Sequence, residues 1–161
     1  MPKYVVTILS VSPIEEDHLS LQAIFAESEW AAYTTCRWTL ARSTTLSSAL
    51  DVLKRKIIPV VICESNLQPG TWKDLFERLG HLPQPPFLIV TSRLADSRLW
   101  AEALNLGAYD VLAKPFDKKE VARITSLAWL HWEDQRKPST GVPARSWLAP
   151  HEQRPVIAPT S

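Results

Sequence analysis

The stretch Val60-Val61-Ile62-Cys63-Glu64 holds four consecutive apolar residues that end in a carboxylate. A second short apolar run, residues 109–113, ends in Lys114-Pro115-Phe116. Short runs of this kind are typical of strands that are buried on both faces of a parallel sheet. Because ligands bind at the carboxyl ends of such strands, we expect the Glu64 carboxylate and the Lys114 ammonium to meet at one edge of a sheet.

Similar apolar runs recur along the chain, and each is followed by a helical pattern. Strands are predicted over residues 4–11, 33–41, 57–63, 87–90 and 109–112. Strict alternation of strands and helices predicts an α/β fold with helices on both faces of the sheet. Five strands favour a flavodoxin-like, doubly wound, five-stranded parallel sheet in the order 2-1-3-4-5. That order places Ser12, Glu64, Thr91 and Lys114 around a single crevice.

The last predicted helix runs from residue 117 to about residue 134. Its expected apolar stripe is Val121, Ile124, Leu127 and Leu130. Residues 135–161 contain five of the thirteen prolines and show no periodicity. We therefore predict a domain over residues 1–134 and a flexible, proline-rich C-terminal tail over residues 135–161. Within that tail, Trp147-Leu148 is either a short docking element or an incidental apolar pair.

The composition is ordinary for a soluble globular protein, with 45% hydrophobic and 22% charged residues and a net charge of +1. This charge gives no field that favours nucleic acid or an anionic membrane, and no apolar run reaches the roughly 18 residues of a membrane span. Cys36 and Cys63 lie in apolar runs, which favours two small buried side chains over a disulfide or a metal site. The sequence predicts a cytoplasmic protein that binds neither nucleic acid nor membrane.

Residues from about 4 to 132 resemble the receiver domain of response regulators in two-component signalling. The resemblance rests on Glu64 after the third strand, Thr91-Ser92 after the fourth, and Lys114-Pro115-Phe116 after the fifth, preceded by Leu106-Gly107-Ala108-Tyr109-Asp110. In that family an aspartate on the third strand accepts a phosphoryl group from a histidine kinase. The resemblance implies that Glu64 occupies the phosphoacceptor position and that Thr91 and Lys114 occupy the positions that contact the phosphoryl oxygens.

The chain departs from this family at the acid pair that binds magnesium, which falls on Ser12 and Pro13. Magnesium prefers octahedral oxygen ligands that include carboxylates, so we expect weak or absent magnesium binding and no other cofactor. Glu64 is one methylene longer than aspartate, and a displacement of about 1 Å can cost roughly 100-fold in rate. The acids at 15–17 suit the positive end of a helix dipole; a shifted metal site is the alternative.

These features predict a stand-alone receiver-like domain of phosphorelay signal transduction that is not an enzyme and is not phosphorylated at an aspartate. Glu64 either substitutes permanently for a phosphorylated aspartate or merely pairs with Lys114 at a disused site. The alternative is a conventional Mg-dependent phosphoacceptor response regulator that uses a non-standard side chain at Ser12, Glu64 or Ser65. A flavin-binding protein is disfavoured, because the loop Ser12-Pro13-Ile14 lacks the run of Ser, Thr and Gly that would hold a phosphate.

The expected partners are proteins, either a histidine kinase or other signalling proteins, because no helix-turn-helix unit fits in residues 135–161. The resemblance also implies a possible homodimer through the face built by the fourth helix, the fifth strand and the fifth helix. Trp100, Trp129 and Trp132 lie in this region, and tryptophan is enriched at interface hot spots, although each also suits a core. The aromatic switch position of the family falls on Val111.

Overall fold

A computed structural model describes residues 4–27 and 36–136 of the chain. The five strands are β1 (Tyr4–Val11), β2 (Cys36–Ser43), β3 (Val60–Glu64), β4 (Phe87–Ser92) and β5 (Asp110–Ala113). They pair in parallel in the order β2-β1-β3-β4-β5, which confirms the predicted topology. The proposed docking pair Trp147-Leu148 and the rest of residues 137–161 lie outside the described residues.

Five helices connect and cover these strands. They are α1 (Glu15–Ala26), α2 (Leu46–Arg55), α3 (Trp72–Leu79), α4 (Ser97–Leu106) and α5 (Lys118–Arg136). Local chemistry sets several of their ends: the Thr71 side chain caps α3, and the Asp96 carboxylate accepts from the Leu99 amide at the start of α4. Gly107 closes α4 with φ 111°, a left-handed conformation that favours glycine.

The sheet separates two hydrophobic cores, because successive strand residues point to opposite faces. Ile62 packs with residues of α1 and α5 on one face. Its neighbour Cys63 packs with residues of α2, α3 and α4 on the other. The alternation also decides where each strand end points: Glu64 follows Ile62 by two residues and therefore belongs to the α1–α5 face.

The apolar stripe predicted for α5 is wrong in its second half. Val121 and Ile124 are buried as expected, but Leu127 and Leu130 are exposed, and Ala128 and Trp132 are buried in their place. An α-helix has 3.6 residues per turn, so a residue about nine positions along lies on the opposite side of the helix from its starting point. A spacing of three therefore drifts off the core face, and α5 carries a second apolar face that looks away from the sheet.

Candidate functional site

The carboxyl ends of four strands meet above the α1–α5 face of the sheet. Glu64 lies beside Thr91 in the register of β3 and β4. Ser12 follows β1, and Lys114 follows β5, where its amide donates to the Ser92 carbonyl at 3.1 Å. The residues that the sequence assigns to one crevice thus lie at the same edge, each placed by the parity of its strand.

Lys114 forms the centre of this crevice. Its Nζ donates to Asp17 Oδ2 at 2.5 Å and lies 3.2 Å from Glu64 Oε1. The side chains of all three residues are at most 9% exposed. The ion pair expected between Glu64 and Lys114 is present, but a second carboxylate competes for the same ammonium and lies closer to it.

Asp17 appeared in the sequence only as a helix-dipole acid or as part of a shifted metal site, and its contact with Lys114 was not predicted. The sequence favoured a helix-dipole role for the acids in the first turn of α1, and that holds for Glu15 and Glu16, which lie at the surface and pair with Arg42 and Arg93. Asp17 instead turns back over the end of the sheet and is buried. No sequence signal separates Asp17 from Glu15 and Glu16, because all three lie in the first turn of α1.

Ser12 holds the Asp17 carboxylate in place. Its Oγ donates to Asp17 Oδ2 at 2.6 Å and accepts from the Ile14 amide at 3.0 Å. Ser12 acts through Asp17 and does not cap α1, whose N-cap residue is Ile14 and makes no side-chain cap. Pro13 offers no side-chain ligand. Among residues 4–27 and 36–136, no group of three or more His, Cys, Asp or Glu side chains is arranged to hold a metal ion.

A second buried layer supports the loop between β1 and α1. His18 Nε2 lies 2.9 Å from the Ser12 carbonyl, and His18 Nδ1 lies 2.9 Å from Ser10 Oγ. Because a carbonyl only accepts hydrogen bonds, Nε2 carries the proton in this contact. His18 therefore fixes the backbone of the residue that positions Asp17.

Glu64 is held at both carboxylate oxygens. Oε1 faces Lys114, and Oε2 accepts from the Ser65 amide at 2.8 Å. The same amide donates to the Thr91 carbonyl at 2.9 Å, which links the carboxylate to the end of β4. Thr91 itself is buried beside Glu64.

Comparisons with known proteins identify this arrangement of strands. No protein-family model matches the sequence, and no curated protein sequence matches it. A signal receiver domain of an HD domain-containing protein from Pseudomonas fluorescens Pf-5 is 24% identical with a TM-score of 0.69, over 81% of this chain and 91% of that chain. The fold is that of a response-regulator receiver domain.

Two further receiver structures give the same result. A putative response regulator from Chloroflexus aurantiacus J-10-fl is 19% identical with a TM-score of 0.67, over 78% of this chain and 98% of that chain. The beryllofluoride-activated NtrC4 receiver domain dimer is 21% identical with a TM-score of 0.67, over 78% and 98% of the two chains. Identity at this level establishes the receiver fold, and the roles of individual residues have to be argued from the site.

Val111, the residue predicted at the switch position, has a small aliphatic side chain. Val111 is fully buried and packs on the α2–α4 face. The nearest aromatic on this strand, Tyr109, precedes β5 and packs against Phe87 on the other face. Its hydroxyl lies 2.7 Å from His131 Nδ1. Burial, followed by the charge of Asp110, raises the pKa of Tyr109 to about 12.

The three candidate interface tryptophans occupy different environments. Trp132 is only 4% exposed, and its indole N–H donates to the Pro85 carbonyl. Trp129 packs edge-on against Trp38 at the margin of the core. Trp100 on α4 is half-buried. The expectation of a surface anchor is therefore corrected for Trp132, because its position on α5 faces the sheet.

Both cysteines are free and buried, in agreement with the prediction of small buried side chains. Burial raises the pKa of the Cys63 thiol far above its ordinary value, and its Sγ donates to the Glu64 carbonyl at 3.2 Å. None of the helices within residues 4–27 and 36–136 is long and apolar enough to cross a membrane.

Proposed function

We propose that this chain works as a receiver-like module of two-component signalling in which the charged side chains of the crevice pair permanently with one another. In this proposal it acts through protein contacts and is not an enzyme. The observation that carries the proposal is the position of Lys114 between two buried carboxylates, Asp17 and Glu64. The ammonium of Lys114 fills the place between the acids that a divalent cation would need.

The electrostatics of the crevice oppose magnesium binding. A divalent ion between Asp17 and Glu64 would lie beside the Lys114 ammonium, and like charges at such distances repel strongly where water is excluded. Ser12 already donates its hydroxyl hydrogen to Asp17. Without the metal, the charge that develops on a transferred phosphoryl group lacks its main compensation.

Glu64 is also poorly placed as a phosphoacceptor. Both of its oxygens have partners, and its side chain is 8% exposed. Attack on a phosphoryl donor would require one oxygen to leave the Lys114 ammonium or the Ser65 amide. Loss of either contact removes a charge-assisted hydrogen bond from a buried carboxylate, which costs about 1.5–3 kcal/mol.

We further propose that the fixed charge at Glu64 sets the state that partner proteins recognise. Glu64→Asp retains the charge and Glu64→Gln removes it at nearly constant volume. If the charge matters, Gln at this position loses the protein partners that the wild type binds, and Asp retains them. Equal capture of partners by all three proteins would instead leave Glu64 and Lys114 as a structural ion pair.

The direct test is phosphorylation in vitro. The full chain is incubated with Mg²⁺ and acetyl phosphate, and its intact mass is measured, with an aspartate-containing receiver domain as a positive control. The expected result is no phosphoryl adduct on this chain and an adduct on the control. An adduct that requires Mg²⁺ and disappears in Glu64→Gln would favour the conventional, Mg-dependent response regulator with a non-standard site.

The expected partners are a histidine kinase or other signalling proteins, and the face built by α4, β5 and α5 is the first surface to test. Of the tryptophans predicted to lie there, Trp100 and Trp129 stay candidate contacts because both are only partly buried, whereas Trp132 belongs to the core. Trp100→Ala should weaken partner binding by more than the accompanying loss of core packing explains, because Trp100 also contacts the core; urea denaturation of the same variant measures that loss. The two buried, free thiols suit a reducing compartment such as the cytoplasm.

A further inference from the structure

The amino edge of the sheet, opposite the crevice, carries a concentration of exposed apolar side chains. Val5, Ile57, Leu127 and Leu130 are 64%, 63%, 41% and 46% exposed. They make up half of the eight exposed large apolar side chains in the part of the chain that the structure describes. All four line one groove of about 760 Å³ between the start of β1 and the end of α5. Apolar side chains gathered in this way mark interaction surfaces.

Ile57 joins this groove to a second one. The second groove has a volume of about 450 Å³ and runs from Ile57 toward Leu82 and Pro83, along the end of α2. We call the two grooves together the amino-edge surface. Thirteen residues line the first groove and ten line the second, with Ile57 in both. Together they approach the 20–30 residues that each partner contributes to a stable interface.

Opposite charges lie at the two ends of the amino-edge surface. Lys54, Arg55 and Lys56 line the smaller groove. Glu133, Asp134 and Arg136 line the larger one, where the two carboxylates outnumber the one guanidinium. Within residues 4–27 and 36–136, the ion pairs of the structure involve neither Lys54, Lys56 nor Asp134.

The acidic end has no explanation in the fold itself. Glu133 and Asp134 lie in the last turn of α5, where the helix dipole disfavours negative charge. Glu133 has one weak, half-exposed pair with Arg136 at 3.5 Å. Carboxylates at the wrong end of a helix, beside exposed leucines, suggest an external cationic partner.

We propose that the amino-edge surface is a two-fold interface between two copies of this chain. In a two-fold dimer the same patch meets itself in opposite direction. The basic end of one copy then faces the acidic end of the other, and the apolar side chains near Ile57 meet across the centre. The interface uses the end of α5 but no residue of α4 or β5, and it leaves the crevice untouched, so it goes beyond the proposed function.

Charge complementarity favours this occupant over others. Nucleic acid or an anionic surface would engage the basic end and be repelled by the acidic end. Residues 137–161 contain three Lys or Arg and one Glu, so this segment lacks the acidic charge that would complement the basic end. A second copy matches both ends at once.

The test measures the mass of the full chain by sedimentation over a range of concentrations. The wild type is compared with a basic-end reversal, Lys54→Glu with Lys56→Glu, and with an acidic-end reversal, Glu133→Lys with Asp134→Lys. Each reversal brings like charges together at both ends of the interface, and we expect each to weaken the dimer at least about tenfold. An equimolar mixture of the two reversals restores complementary ends and should recover a dimer of wild-type affinity.

Matched controls make the result decisive. Trp100→Ala, on the α4–β5–α5 face, should leave the dimer unchanged, and circular dichroism should show that every variant is folded. A wild type that stays monomeric at all concentrations overturns the proposal. A dimer that resists both reversals, that is lost in Trp100→Ala, or that the mixture fails to restore also overturns it.

Discussion

The two edges of the sheet differ in which side chains they bury and which they expose. At the carboxyl edge, Lys114, Asp17 and Glu64 are buried and satisfy one another. At the amino edge, Ile57 and its apolar neighbours are exposed, and the charges around them lie at the surface. In receiver domains, the carboxyl edge holds the residue that accepts the phosphoryl group.

This difference predicts that substitutions at the two edges affect different measurements, the free energy of unfolding at one edge and self-association at the other. A buried charge that loses its partner costs several kcal/mol, whereas a substitution at an exposed position usually changes the free energy of unfolding by about 0.5 kcal/mol or less. We therefore expect substitutions at the carboxyl edge to lower stability and substitutions at the amino edge to lower association. The predictions below test that division, beginning with the largest expected effect.

Lys114→Met should cause the largest loss, because it leaves Asp17 and Glu64 as two buried carboxylates without a cation. We expect the free energy of unfolding to fall by about 3–5 kcal/mol, measured by urea denaturation. The matched control is Lys73→Met, which removes a half-exposed pair with Glu102 and should cost no more than about 1 kcal/mol. Equal losses in the two variants would show that the crevice does not depend on the Lys114 charge.

Asp17→Asn should give the next largest effect. The side chain keeps its shape, but Lys114 loses its closer charged partner, and a charge-assisted hydrogen bond of this kind contributes about 2 kcal/mol. Glu16→Gln lies in the same turn of α1 and should change the free energy of unfolding by less than about 1 kcal/mol. If the two variants behave alike, then Asp17 serves the helix dipole and not the crevice.

Ile57→Gln should leave the free energy of unfolding within about 0.5 kcal/mol of the wild type, because the side chain is exposed. The same substitution should weaken the proposed dimer about tenfold, since it places an amide at the centre of the interface. Leu94→Gln is the control: Leu94 is also exposed, even more than Ile57, but follows β4 at the other edge. Weaker association in Leu94→Gln, with none in Ile57→Gln, would place the contact at the carboxyl edge.

The last expected effect is a pH dependence at the amino end of β5, which appears only at alkaline pH. The Tyr109 hydroxyl has a pKa of about 12 in the folded protein, against an ordinary value of 10.0. The unfolded chain therefore releases this proton first, and stability should be unaffected below pH 10 and should fall as the pH rises from 10 to about 12. Urea denaturation at several pH values checks this, and Tyr109→Phe should show a shallower decline; an identical decline would assign the effect to other groups.

The order of strands could be predicted because each cue is local. Apolar runs such as Val60–Glu64, their alternation with helices, and Lys114-Pro115 after the last strand appear directly in the sequence. Parity along each strand then brings Ser12, Glu64, Thr91 and Lys114 to one edge. No knowledge of side-chain packing is needed for that step.

Asp17 and α5 could not be resolved by the same cues. In the sequence, a carboxylate in the first turn of a helix is equally compatible with a helix-dipole role and with a place in a buried crevice. Only the direction in which α1 leaves β1 decides between the two roles. In α5, apolar residues occur on two sides, so Leu127 and Leu130 compete with Ala128 and Trp132 for the core face. The choice depends on how α5 is rotated against the sheet, which periodicity alone leaves open.

The enclosure of Lys114 also changes how the molecule meets reactive chemicals. Reagents that acylate lysine must approach its nitrogen, and the Lys114 side chain is 5% exposed while that of Lys73 is 50% exposed. Anhydrides and activated esters should therefore label Lys73 rapidly and reach Lys114 only when the fold opens. The rate at which Lys114 is labelled would therefore measure how often the crevice opens in solution, without any attached probe.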